Sequence, residues 1–457
     1  MFIEMKCKVA LKRESIFYVM GCLLLLAGCG KQTKQVEVSS SAQYFRLTDT
    51  LGVVRADVLD PQIEGKLLAR YYLVQDPPQP SLQREGVGEI YSSIDTNSSL
   101  SLPGFQQERT QKIKDFSRSP QATRTEVVLG RDGENSVVFI SVPLRRVATT
   151  SATHVGFLHA LGVLDSVVAM SNPDWVYNRP SHAVANIGED INIAMEPLLL
   201  SKPDVLFASS YGQNSQQIAR VAEAGIPVIY LAEWQEQHPL ARAEWLRFVA
   251  AFFCKTALAD SILGEVRRAY QELQEPPQHR TPSNSPYKGG GNKKLPSSID
   301  TIYPPSLCRD GRGGSSPSIM SGASYRGTWY VPSGTTYMGC LFRDAGAAYT
   351  FADERTNGSI PLTMEQALRA FSEADVWVGA NARTMDELRA IDEHHTWFKA
   401  YQTGRVYHFY GRTNSTGGND FWETGVVHPE IILRDLQWAL YPDLYPDYEP
   451  YFIGRVQ

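Results

Sequence analysis

The sequence predicts an α/β protein of two lobes, each with a central, mostly parallel sheet flanked by helices. One long rigid helix joins the lobes, and a small β-containing extension precedes them. Three observations predict this fold. Strand-length apolar runs alternate with helix-length segments in both halves, a pattern typical of parallel sheets covered by helices. Between the halves, apolar residues recur at helical spacing over 241–274. The halves also share a motif, MEPLL at 195–199 and MEQAL at 364–368, each leading into an Asp-Val strand.

The alternation assigns each half its elements in order. In the first half it predicts strands at 146–151, 167–170, 204–208 and 228–231, and helices at 153–161, 195–201 and 216–224. In the second half it predicts strands at 318–321, 328–331, 375–379 and 406–409, and helices at 337–345, 364–371, 384–391 and 428–440. An earlier run at 67–74 is also predicted to be a strand.

The composition along the chain sets the domain boundaries. The central helix, some thirty residues at 1.5 Å each, would reach about 45 Å, more than a crossover inside one lobe needs. The segment after it is dense in Pro, Gly, Ser and Lys and cannot bury enough surface to order itself. The predicted units are a signal peptide at 1–28, a tether and extension at 29–136, an N-terminal lobe at 137–240, a linking helix at 241–275, a disordered insertion at 276–317, and a C-terminal lobe at 318–457.

The N-terminus carries a secretion signal that ends at Cys29. Basic residues at 6–13 precede an apolar run at 16–27, which is too short to span a bilayer comfortably. The tetrad LAGC at 26–29 resembles the lipobox of bacterial lipoproteins. This resemblance implies that Cys29 is lipidated and becomes the new N-terminus. Several acyl chains would give a lasting membrane anchor.

Composition and motifs exclude several function classes. The 457-residue chain has a net charge of −5, which argues against a nucleic-acid partner. After the signal and Cys29, three cysteines remain with no close spacing, so neither a disulfide framework nor a cysteine zinc site is predicted. The nine histidines show no metal-ligand spacing, which disfavours a bare-metal binder. No nucleophile elbow, P-loop or dinucleotide fingerprint is present, so no catalytic residue is assigned.

The order of several short runs resembles one family. The runs are RVATTS at 146–151, ALGVLDSVV at 160–168, EPLLLSKPDVLFA at 196–208, GTWYVP at 327–332, DAG at 344–346 and GNDFWE at 418–423. Over about 142–443, without the insertion, the chain resembles the helix-hinged solute-binding proteins of ABC importers for ferric siderophores, haem and cobalamin.

The resemblance implies a non-catalytic protein with no resident cofactor. Such a protein holds a metal chelate between its lobes and docks on an ABC permease dimer at the periplasmic face of a membrane, with the inner membrane favoured. By position, Glu196 and Glu365 would meet permease arginines. A simpler interpretation is that both glutamates only suit helix N-termini. Iron chelates and haem are favoured over cobalamin by family frequency, and a lipoprotein that has lost uptake stays an alternative.

Aromatic residues are the predicted ligand contacts, since they give large contact areas to partly apolar chelates. The loops beyond the carboxyl ends of parallel strands line the binding crevice of α/β folds. The candidates in such positions are Trp175, Tyr177, Tyr211, Trp329, Tyr330 and Trp422. For each, core or lobe-interface packing is the alternative. Arg343 and Arg412 could pair with an acidic group of the ligand, although solvation at the surface is the simpler expectation.

Overall fold

The computed structural model describes residues 41–50, 53–75, 125–128, 137–189, 192–209, 215–274, 316–356 and 358–457. The lipidation candidate Cys29, the ligand candidate Tyr211 and residues 275–315 lie outside this part of the chain. Within the described ranges, no helix combines the length and the apolar character needed to cross a bilayer.

A five-stranded sheet precedes the first lobe. Its strands are β1 (Phe45–Thr50), β2 (Val53–Leu59), β3 (Leu67–Gln75), β4 (Thr125–Val128) and β5 (Val137–Val142). Their order is β1-β2-β3-β5-β4, and all pairs except β3 and β5 are antiparallel. The sequence placed β5 in the N-terminal lobe, which is wrong. The strand pairs along its whole length with β3, because its backbone groups find partners there and not in the lobe's own sheet.

This N-terminal sheet packs onto the first lobe as part of the same core. Phe45 lies edge-on to Trp245, with ring centroids 5.0 Å apart. The hydroxyl of buried Tyr71 donates to the carbonyl of Val228, 3.1 Å away, and accepts from the N–H of Tyr230, 3.0 Å away. These two bonds satisfy backbone groups at the edge strand of the lobe's sheet, so the N-terminal sheet covers that edge.

The first lobe is an α/β unit. Its elements are β6 (Val147–Thr149), α1 (Ala152–Ala160), β7 (Val167–Met170), β8 (Ala185–Asn186), β9 (Gly188–Glu189), β10 (Asn192–Ile193), α2 (Met195–Ser201), β11 (Val205–Ala208), α3 (Ser215–Glu223), β12 (Val228–Tyr230), α4 (Pro239–Ala243) and α5 (Trp245–Ala251). The sheet order is β12-β11-β6-β7-β8, and every pair is parallel. Buried strands such as β11 are apolar throughout, as expected for a parallel sheet covered on both faces.

The helix between the lobes is shorter than the sequence predicts. Helices α4 and α5 belong to the first lobe, and the connecting helix is α6 (Thr256–Gln274). Cys254, with φ of 55°, ends the preceding helical segment. The apolar spacing continues across this break because α5 turns its aromatic residues into the first lobe's core. Helical periodicity alone therefore could not show that the helix is interrupted.

Helix α6 nevertheless contacts both lobes. Leu263, in its first half, packs in the core of the first lobe, whereas Tyr270 and Leu273 pack in the core of the second. Nineteen residues span about 28 Å. The buried side of one helix thus links two cores, which fixes the spacing between the lobes.

The second lobe repeats the architecture. Its elements are β13 (Ser318–Ser321), β14 (Ser324–Tyr325), β15 (Thr328–Pro332), α7 (Tyr337–Asp344), β16 (Ala348–Tyr349), β17 (Ser359–Leu362), α8 (Met364–Phe371), β18 (Val376–Val378), α9 (Met385–Ile391), α10 (Lys399–Gln402), β19 (Val406–His408), α11 (Thr424–Val427), α12 (Pro429–Leu440) and β20 (Gly454–Arg455). The sheet order is β16-β13-β18-β19-β20, parallel except at β20. A small sheet, β14-β15-β17, lies beside it. The predicted class, two lobes with mostly parallel sheets, is confirmed.

Candidate functional site

The carboxyl ends of the two lobe sheets meet at a contact that we call the lobe junction, residues 174–179 of the first lobe against residues 412–427 of the second. Residues 174–179 follow β7, and residues 412–427 follow β19. The side-chain amide of Asn414 donates to the carbonyl of Val176, 2.8 Å away. Val427 is buried in the core of the first lobe. The second lobe therefore holds a loop of the first lobe in place.

The carboxylate of Glu423 is the main polar group of the junction. It is 0% exposed and accepts hydrogen bonds from the N–H of Tyr177 at 2.5 Å and the N–H of Asn178 at 2.8 Å. The Asn178 side-chain amide donates to it as well, at 3.0 Å. Burial raises the pKa of Glu423 to about 7, and the hydrogen bonds oppose that rise. The carboxyl group therefore titrates near neutral pH while it ties two lobes together.

The guanidinium of Arg412 lies between two aromatic rings at the same junction. Its carbon is 5.2 Å from the ring centre of Tyr177 and 4.2 Å from that of Tyr451. Its Nε donates to the buried carboxylate of Asp420 at 2.8 Å. The carboxylate of Asp420 therefore neutralises Arg412. This arginine is not available to pair with an acidic group of a ligand, and it is not simply solvated at the surface. The other arginine candidate, Arg343, lies beside Asp344, with Nε 3.3 Å from its carboxylate.

A second contact between the lobes joins Arg242 and Tyr337. The guanidinium of Arg242, on α4, lies 4.4 Å from the ring centre of Tyr337, on α7. Arg242 is held by donating to the carbonyls of Glu233 at 3.1 Å and Trp234 at 2.7 Å. Arg242 follows β12 of the first lobe's sheet, whereas Tyr337 follows β15 of the small sheet.

Three predicted ligand residues come together at the lobe junction. Trp175 is 70% exposed, and a Cβ placed on Gly417 would lie 4.0 Å from its ring. Trp422 is 46% exposed and stands edge-on to Phe421. Tyr177 is half-buried under Arg412. One exposed indole from each lobe at a contact between lobes is a suitable surface for a large, partly apolar ligand.

Two other candidates lie elsewhere. Trp329 is 1% exposed and packs against Trp377 and Phe398, while its indole N–H donates to the carbonyl of Ser321. Its prediction as a ligand contact is wrong, since its strand turns this residue inward. Tyr330, the next residue on β15, points to the other side and is 44% exposed. It lies opposite Pro361 in the small sheet, and no hydrogen bond or ring contact found in the described ranges joins it to the junction.

The two predicted docking glutamates occupy equivalent places. Glu196 is the second residue of α2 and Glu365 the second residue of α8, and both are exposed. Each helix leads into a central strand, β11 or β18, so the sequence repeat is also a structural repeat. A hydrogen bond with the Thr363 hydroxyl lowers the pKa of Glu365. Its carboxylate is therefore ionised at neutral pH.

Sequence reasoning missed the residues that hold the junction together. Glu423, Asp420 and Asn178 are absent from the predicted site, although the first two belong to the GNDFWE run that supported the resemblance. Two acidic residues so close in sequence to Trp422, a predicted ligand contact, could have indicated a polar network at the site. Only the fold shows that their partners come from the other lobe.

The described ranges hold no cluster of three or more His, Cys, Asp or Glu side chains arranged for a metal ion. They do contain a shallow cavity of about 440 Å³ on the first lobe, lined by Arg146, Val168, His182 and Leu200 among others. This cavity lies near α2, at the amino end of β6, and so it is separate from the lobe junction.

Comparison with known proteins agrees with this architecture. A family model described as periplasmic binding protein matches residues 147–303 and 310–412. The chain belongs to the periplasmic binding protein family. The resemblance seen in the sequence is thereby confirmed at the level of the family, whose members bind solutes.

Individual relatives are distant. An uncharacterized lipoprotein of Methanocaldococcus jannaschii is 23% identical over 337 residues, which is 70% of this chain and 70% of that protein. The periplasmic haem-binding protein RhuT of Roseiflexus sp. RS-1, in its apo form, is 16% identical over 66% of this chain and 99% of its own, with a TM-score of 0.47. The siderophore-binding protein FhuD of Vibrio cholerae, with Fe³⁺-Desferal bound, is 16% identical over 65% and 100%, with a TM-score of 0.43.

Proposed function

We propose that this periplasmic binding protein is lipid-anchored, holds an iron chelate or haem between its lobes and delivers it to the permease of an ABC importer. The lobe junction carries the proposal. There, loops from both lobes leave Trp175 and Trp422 exposed beside a network of buried hydrogen bonds. An exposed indole loses apolar surface to water when a ligand covers it, which favours binding.

A ligand panel tests the proposal. Tryptophan fluorescence of the full-length protein in detergent would be titrated with haemin, several ferric siderophores and cyanocobalamin, with detergent alone as the blank. We expect at least one iron chelate or haemin to bind. Trp175→Ala and Trp422→Ala should each raise its Kd about tenfold, since burying an aromatic side chain contributes about 1.5–3 kcal/mol.

The matched control is Trp397→Ala. Trp397 is also exposed, but it lies on a short 3-10 segment after α9 that makes no described contact with the junction. The Kd of Trp397→Ala for the same ligand should stay within twofold of the wild-type value. If no member of the panel binds, the proposal is wrong. If only cyanocobalamin binds tightly, the solute is cobalamin and not an iron chelate or haem.

We propose that Glu196 and Glu365 dock the two lobes on the permease. Two exposed carboxylates on matching helices, one on each lobe, can set both the attraction and the orientation of a partner with complementary charge. The double variant Glu196→Ala with Glu365→Ala should abolish uptake in cells and leave ligand affinity unchanged. The control Glu223→Ala with Glu354→Ala, which removes two other exposed carboxylates, should leave both uptake and ligand affinity unchanged. Lost ligand affinity in the first variant would show that the glutamates belong to the binding site.

The membrane anchor is proposed on the LAGC tetrad, and a relative named as a lipoprotein supports it. A tether would keep the protein at high effective concentration near its permease. Cys29→Ser should abolish incorporation of labelled palmitate and release the protein from the membrane fraction. A variant that stays lipidated would disprove the assignment of Cys29.

A further inference from the structure

Three arginines approach one short loop of the lobe junction, residues 413–418, which we call the crossover loop. Arg412 precedes the loop directly. From the first lobe, Arg179 donates through Nη2 to the hydroxyl of Thr416. From the second lobe, Arg383 donates through Nη2 to the hydroxyl of Thr413, 2.7 Å away. The guanidinium groups of two lobes thus converge on a segment that lies beside Trp175.

Among the described residues, a carboxylate neutralises only one of these three charges. Arg412 is paired with the buried carboxylate of Asp420. Arg179 otherwise donates to the backbone carbonyls of Asp174 and Val176. In the described part of the chain, no carboxylate oxygen lies within 4.0 Å of the guanidinium of Arg179.

The same holds for Arg383. Its guanidinium donates to Thr413 and to the carbonyl of Tyr410, and it lies 5.5 Å from the Tyr410 ring centre. The carboxylate of Glu387 accepts from the backbone N–H groups of Arg383 and Thr384 instead. No ion pair of the Arg383 guanidinium with a carboxylate is found within the described ranges.

Two further acids lie at the junction, Asp174 and Glu423, and within the described ranges neither carboxylate forms an ion pair with Arg179 or Arg383. Glu423 is buried, its hydrogen-bonding capacity is taken up by Tyr177 and Asn178, and its pKa is raised to about 7. Arg179 and Arg383 are both exposed and held in fixed positions by neutral oxygen atoms. Guanidinium groups held in this way retain donors for a carboxylate, which they bind in charge-assisted, often bidentate, pairs.

We propose that the crossover loop is the anion-recognising part of the ligand site, and that the solute is a metal chelate of net negative charge. Its acidic groups would pair with Arg179 and Arg383, and its apolar face would lie against Trp175 and Trp422. This inference rests on the proposed function and narrows it. Haem, with its propionates, and ferric polycarboxylate chelates fit this class, whereas cationic ferric hydroxamates and uncharged cyanocobalamin do not.

The test compares chelates of different charge on the full-length protein in detergent. The probes are haemin and ferric citrate, which are anionic, ferrioxamine B, which is cationic, and cyanocobalamin, which is uncharged. We expect an anionic chelate to bind most tightly. Arg179→Gln and Arg383→Gln should each weaken it about tenfold, as loss of one charge-assisted pair predicts. Arg179→Lys should keep more affinity than Arg179→Gln, because it keeps the charge.

Arg389→Gln is the control. Arg389 is an exposed arginine on α9 that pairs with Glu393 and lies outside the junction, so its removal should change affinity less than twofold. Tighter binding of ferrioxamine B than of both anionic chelates would overturn this inference and leave the proposed function standing. Binding of cyanocobalamin alone would overturn both. An equal loss in the control would overturn this inference too, since the effect would then come from overall charge. Failure of all four probes to bind would count against the proposed function itself.

Discussion

Removing the carboxylate of Glu423 should weaken the attachment between the lobes. Glu423→Ala removes the acceptor of the N–H groups of Tyr177 and Asn178 and one acceptor of the Asn178 side-chain amide, which keeps its bond to Asp420 at 3.1 Å. A buried donor without a partner costs about 1–3 kcal/mol. Partial access of water to the emptied space lowers the sum, so we expect a loss of about 3–5 kcal/mol in the free energy of unfolding at pH 5.

The loss should become smaller at higher pH. The folded pKa of Glu423 is about 7, against an ordinary value of 4.5. The wild type therefore binds more protons folded than unfolded between these values, and its stability falls as pH rises from about 5 to about 7. The shift is worth at most about 3 kcal/mol. Because Glu423→Ala has no such group, its deficit relative to wild type should shrink by up to that amount at pH 8.

Urea titrations followed by tryptophan fluorescence at pH 5 and pH 8 measure both effects. Glu423→Gln, which keeps one oxygen acceptor and cannot ionise, should lose less stability than the alanine variant and show a flatter pH profile. Glu265→Ala removes an exposed carboxylate from α6 and should stay within about 0.5 kcal/mol of wild type. An unchanged free energy of unfolding for Glu423→Ala at pH 5, or a deficit that grows toward pH 8, would refute the reasoning.

Three further substitutions probe the packing around the junction and the N-terminal sheet. Gly156→Ala should lower the free energy of unfolding by about 2 kcal/mol or more in urea titrations, because the new Cβ would overlap the backbone carbonyl of Glu423. A variant as stable as wild type would mean that the lobes can separate freely at this position. Tyr71→Phe should lower the free energy of unfolding by about 1–3 kcal/mol in thermal unfolding, because two backbone groups of β12 lose their hydrogen-bond partner. An unchanged stability would indicate that water replaces the hydroxyl. Glu236→Ala should speed amide hydrogen exchange at Gln43 and Tyr44, because their N–H groups donate to the buried carboxylate of Glu236. Unchanged protection would contradict a role of Glu236 in anchoring this segment.

The structure gives the residues after the predicted tether a defined attachment. The carboxylates of Glu236 and Glu244 accept from the backbone N–H groups of residues 41–44. Glu244 also pairs with Arg267 of α6, with 2.7 Å between Oε1 and Nη2. Residues 41–44 therefore lie beside the helix that links the lobes.

The local pattern of the sequence determined the fold class and most elements of the two lobes. Helix α8 was predicted at 364–371 and runs over Met364–Phe371, because an amphipathic spacing and a Thr363 cap lie within the segment itself. The repeated motif predicted the matching positions of Glu196 and Glu365 for the same reason. Such signals need no information from distant parts of the chain.

Only the tertiary structure decided which residues meet. The alternation along β15 shows that Trp329 and Tyr330 face opposite sides, but the side that is buried depends on Trp377 and on the rest of the second core. Tyr177 and Glu423 are 246 residues apart, and no local pattern links a backbone N–H to a carboxylate at that distance. The lobe junction exists because α6 sets the spacing of two separately folded sheets and α11 inserts Val427 into the opposite core. These are long-range packing choices, and they decide the candidate binding site.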